Sequence, residues 1–80
     1  MAEMITIEQE ENNRSRWIKV FVPGKGNGES MASIQDRQGV ILKRLSLNAG
    51  YNAIDISHIA ENPINIKVET PYETVLKELK

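Results

Sequence analysis

The sequence predicts a small all-β domain, a reading that three observations support. Between Ile34 and Val68, short aliphatic segments alternate with turns containing Gly, Asn or Pro, which is how a chain writes consecutive antiparallel strands. Several segments alternate with period two, as Ile64, Ile66 and Val68 do against Asn65, Lys67 and Glu69. Eighty residues without a cysteine make one domain with no disulfide and no Cys-based metal site. A chain of this size buries about 60% of the surface its unfolded form exposes. Its stability margin is therefore thin, which favours a partner, either a second copy or a larger parent chain.

The elements follow in order. Met4 to Glu8 places Ile5 and Ile7 opposite Thr6 and Glu8, a first strand with one buried face. Glu10 to Ser15, with Asn12-Asn13, has turn composition. Trp17 to Val22 is apolar at every position but Lys19, as in a central strand or one with both faces covered. For Trp17 and Phe21 the default is packing; the functional alternative is an exposed aromatic pair that binds, for example, the face of a sugar. Pro23 to Gly28 is a hairpin loop. It is not a phosphate-binding loop, because Lys25 is not followed by Ser or Thr and no helix follows. Ser30 to Gln35 forms a modest strand that turns at Asp36 to Gly39.

Val40 to Leu47 is the strongest apolar run, but its parity slips. A bulge near Lys43-Arg44 would let Ile41, Leu45 and Leu47, then Val40 and Leu42, face inward in turn. Asn48-Ala49-Gly50 closes the segment, with Gly50 supplying a positive φ. Ala53 to Ser57 is a strand, Ser57 to Ala60 a single helical turn, and Pro63 bars any longer helix. Ile64 to Val68 is the cleanest strand. Thr70-Pro71-Tyr72-Glu73 has the form of a helix start, but the nine residues that follow Pro71 are too few to hold a helix without packing. A closing strand over Thr74 to Leu79 is favoured.

Several function classes are excluded by what the chain contains. The net charge is −1 with both signs interspersed, so no field of one sign draws in nucleic acid or anionic lipid. Arg14, Arg16 and Lys19 are offset by Glu8, Glu10 and Glu11. No apolar run approaches the ~20 residues of a membrane span. Glu3 and Glu8 flank the only apolar patch near the N-terminus, so no signal peptide is read there. With Met1 as the natural start the protein stays in the cytoplasm; cut from a longer chain, it belongs at the cell surface or outside. His58 is the lone histidine, which excludes a His pair on a metal, and Asp55, Ser57 and His58 lie too close in sequence for a catalytic triad. Asp36 and Asp55 lack the repeated acidic ligands of a calcium loop. Neither catalysis nor a cofactor is expected.

From Ile34 onward the order of motifs resembles the type A C-terminal sorting domain of the Bacteroidetes type IX secretion system. The matching residues are Asp36 and Gly39 framing a turn, the apolar-basic strand Val40 to Arg44, and Leu47-Asn48-Ala49-Gly50. Asn52-Ala53-Ile54-Asp55-Ile56-Ser57 follows with Ile59-Ala60, then Ile66-Lys67-Val68 and the basic-apolar tail Val75 to Lys80. Where that family has Gly-x-Tyr, this chain has Glu61-Asn62-Pro63-Ile64-Asn65. The resemblance implies a seven-stranded antiparallel β-sandwich, Greek-key and immunoglobulin-like, that an outer-membrane translocon recognises. It makes Lys77, Leu79 and Lys80 candidate recognition residues. The alternative is a stand-alone adaptor that pairs by a β-edge with a protein partner or with its own copy as a homodimer. A third reading is a carbohydrate-binding module using Trp17, Phe21 and Tyr51.

Overall fold

The computed structural model describes residues 4–12, 14–24, 30–60 and 63–79. Seven strands account for most of them, and no helix occurs among the described residues: β1 (Thr6–Glu11), β2 (Arg16–Val22), β3 (Ser30–Gln35), β4 (Ile41–Leu47), β5 (Gly50–Asp55), β6 (Ile64–Glu69) and β7 (Thr74–Leu79). They pair antiparallel in two sheets, of order β1-β2-β5 and β4-β3-β6-β7. Each sheet is the frame of its own compact unit. The first, second and fifth strands share one sheet and the third, sixth and seventh the other, which is the immunoglobulin-like order; here the fourth strand joins the third.

In the first unit β2 is the central strand, the first of the two positions its apolar faces allow. Ile18, Val20 and Val22 point to the buried side, joined by Ile7 of β1 and Ile54 of β5. Two boundaries differ from the sequence reading by three residues. β1 runs on through Glu10 and Glu11, which pair with Trp17 and Arg16, because the turn needs only Asn12 to Ser15. There the Asn12 carboxamide oxygen accepts the N–H groups of Arg14 and Ser15, and the Asn12 N–H donates to the Ser15 carbonyl. β5 begins at Gly50, not Ala53. Gly50, at φ +93°, is itself in the ladder opposite Val22, and Tyr51 and Asn52 follow opposite Phe21 and Val20.

The helical turn expected at Ser57 to Ala60 is instead one β-turn, closed by the Ile59 N–H on the Ile56 carbonyl. Ile56 and Ile59 turn inward there and are buried.

In the second unit β3 and β6 are central, and Ala32, Ile34, Ile64, Ile66 and Val68 are fully buried. The β3–β4 turn combines a positive-φ Gly39 with the Asp36 carboxylate, whose Oδ1 accepts the N–H groups of Gln38 and Val40. The bulge in β4 falls beside the predicted one: Ile34 pairs with Lys43 and Gln35 with Ile41, leaving Leu42 as the extra residue. It does not bring both apolar sets inward, since Val40 and Ile41 stay exposed. The favoured closing strand is β7. Thr70 Oγ1 accepts the N–H groups of Tyr72 and Glu73, as a helix N-cap would, but the Thr70 N–H donates to the Glu73 carbonyl and closes a hairpin.

Residues 25–28 and Asn13, which the sequence reading gave to a hairpin loop and a turn, and Glu61-Asn62 lie outside the described residues.

Candidate functional site

Asp55 and Ser57, two of the three groups weighed for a triad, are engaged in folding the turn after β5. Asp55 Oδ1 accepts the Ser57 N–H at 2.8 Å. Ser57 Oγ accepts the Arg16 N–H at 2.9 Å, and the Arg16 carbonyl accepts the Ile56 N–H at 2.9 Å. The Arg16 guanidinium reaches over the same turn, its Nη1 donating to the Ile59 carbonyl and its Nε 3.3 Å from Glu11 Oε2. A triad would need the hydroxyl to face an imidazole and the imidazole to face the carboxylate. Here the hydroxyl faces backbone, and His58 is exposed at the tip of the turn. Asp36 is occupied in the same way by the backbone of its own hairpin.

The three aromatic residues singled out in the sequence do meet on one surface. Side chains alternate along a strand, so Trp17, Lys19 and Phe21 project from the side of β2 opposite Ile18 and Val20. The register sets them in three rows across the sheet: Thr6–Phe21–Tyr51, Glu8–Lys19–Ala53 and Glu10–Trp17–Asp55. Phe21 and Tyr51 pack ring against ring, with centroids 5.0 Å apart and planes tilted by 54°. The Lys19 ammonium stands 5.8 Å from the Tyr51 centroid and 3.6 Å from Glu10 Oε2. Trp17 sits two rows away, 39% exposed, in register between Glu10 and Asp55. Tyr51 is 71% exposed. The surface is thus aromatic and acidic, with three carboxylates to one ammonium.

In the sequence, Glu8 and Glu10 stand only as charges offsetting nearby bases and Asp55 only as a dismissed triad or calcium candidate; none is assigned to a binding surface. The parity of β1 and β5 could have placed Glu8, Glu10 and Asp55 on the side away from the core, but only the strand pairing sets two of them beside Trp17.

The tail residues fare differently. Lys77 is exposed, in register with Ile66. Leu79 is not a surface residue: it pairs with Ile64 and is only 1% exposed, because the alternation of β7 turns it to the buried side. Its contribution is to the core. Lys80 lies outside the described residues.

No family model matches the chain, and no curated protein matches it.

Proposed function

We propose that this chain is a non-catalytic recognition module of the sorting-domain kind, a β-sandwich read by a protein partner such as an outer-membrane translocon. Its main support is that the turn-forming residues of the resemblance have definite conformational tasks. Asp36 and Gly39 make one turn and Gly50 another. Asn52 fastens that second turn, accepting the Asn48 N–H and donating to the Asn48 carbonyl at 2.8 Å. Asp55 and Ser57 fold the next. A scaffold whose polar motif residues are spent on its own turns offers its partner a shape and a surface, not a reactive group.

The test is to fuse the whole chain behind a signal peptide and a reporter in a type IX-competent host, beside an intact family domain. Reporter at the cell surface is expected. A reporter held in the periplasm while the family domain is exported overturns the sorting role. Lys77→Glu is the informative tail variant, because Leu79 substitutions would disturb the core rather than a signal.

One observation favours a second reading, a stand-alone adaptor. The acidic aromatic surface on the first sheet is the kind of patch from which Trp and Tyr anchor protein partners. Pairing through a β-edge has less support, because each edge strand places a polar residue in register with the buried side: Gln9 opposite Ile18, Asn52 opposite Val20, Lys43 opposite Ile34 and Lys77 opposite Ile66.

A further inference from the structure

The Lys19 contacts show how the exposed side of the β1–β2–β5 sheet holds a cation. Its ammonium is gripped by a ring, Tyr51, and a carboxylate, Glu10. The Trp17 row brings together the same residue types, an aromatic ring and carboxylate side chains. Tryptophan offers the best aromatic surface for a cation, and Glu10 and Asp55 are its cross-strand neighbours, about 4.5–5.5 Å away at Cβ, Glu10 also pairing with Lys19 and Asp55 also accepting the Ser57 N–H. Among the described residues, no Lys or Arg of this chain stands over the Trp17 ring. Glu8 adds an exposed carboxylate with no ion-pair partner among the described residues.

We propose that this face docks an extended, basic polypeptide segment, seating one arginine or lysine side chain on Trp17 between Glu10 and Asp55. The inference rests on the recognition-module reading and names the partner's chemistry. Charge complementarity selects the occupant: a guanidinium can stack on the indole while donating to a neighbouring carboxylate, and Phe21 and Tyr51 supply apolar contact further along the same strands. A neutral sugar would use the rings but gain nothing ionic from the excess of carboxylates.

Trp17 is the only tryptophan of the chain, so its fluorescence reports on this face directly. The probe is an alternating arginine–threonine peptide of about eight residues, enough to span a strand, with a glutamate–threonine peptide and cellohexaose as the other arms. The intact chain is expected to show a saturable change in Trp17 emission with the arginine peptide alone, weakening as salt rises. With a dye-labelled peptide, Trp17→Leu, which keeps apolar bulk but removes the π face, and the double variant Glu8→Gln/Glu10→Gln should each lose roughly tenfold in affinity. Lys67→Ala, on the other sheet, should lose none. Circular dichroism of each variant separates lost binding from lost fold.

Equal binding of the glutamate peptide, a response to cellohexaose alone, or affinity unchanged in both face variants would overturn the proposal. Export of the reporter without peptide binding overturns this docking face and leaves the sorting role. Peptide binding without export does the reverse.

Discussion

At the scale of single residues, the turns of this protein depend on a few atoms. Gly50 has φ +93° and Gly39 φ +87°, and a Cβ built on either meets nothing within 4 Å. Steric crowding is therefore absent, and the cost of substitution is the backbone conformation itself. Gly50→Val should destabilise by about 2 kcal/mol, because a β-branched residue resists positive φ, whereas Gly50→Asn should cost distinctly less. Urea denaturation of the two variants checks the order, and equal costs would refute the conformational explanation. Asn52 is the second such point. Its amide bonds to Asn48 at both ends and reaches the Gly50 carbonyl at 3.3 Å, so one side chain satisfies the loop that feeds β5. Asn52→Ala should cost about 1–3 kcal/mol by leaving those backbone groups unpaired. Asn52→Asp should also destabilise, since a carboxylate can accept the Asn48 N–H but cannot donate to its carbonyl.

At the scale of elements, edges and turns are where local pattern and pairing part company. Thr70 bonds its following amides as an N-cap does, so the sequence around it is compatible with a helix start and with a hairpin. What selects the strand is the β6 partner, which pairs Val75 with Val68 and Leu79 with Ile64. Lys43 and Lys77 show a different logic. Each sits on an edge strand in register with a fully buried isoleucine. A charge in that position opposes continuation of the sheet by another chain. Lys43→Val/Lys77→Val should therefore make the protein associate more strongly with rising concentration than the parent chain, as read by sedimentation velocity. Unchanged sedimentation of the double variant would remove the edge-guarding role.

At the scale of the whole molecule, a chain of eighty residues has little stability to spare. Ile56 is fully buried beside the turn that Arg16 and Ser57 hold. Ile56→Asp buries an unpaired charge, a penalty of several kcal/mol against a total of about 5–15 kcal/mol, and should leave no folded baseline in circular dichroism. Ile56→Val should fold and lose only about 1 kcal/mol. A folded Ile56→Asp would mean that the inward turn after β5 is dispensable.

The sequence by itself determined the seven-strand all-β class, the turn at Gly50 and the inward set Ile64, Ile66 and Val68, and it narrowed β2 to a central strand or one covered on both faces. These follow from period-two alternation and from residues that tolerate or forbid particular backbone angles, both of which are local. Only the tertiary structure decided that Leu42 is the bulged residue, that Leu79 is core, and that Trp17 lies between Glu10 and Asp55. Each of these depends on register, the alignment of one strand against another distant in sequence. Parity says which side of a strand a residue occupies, while pairing says who stands next to it. The proposed cation-docking face rests on that second kind of information.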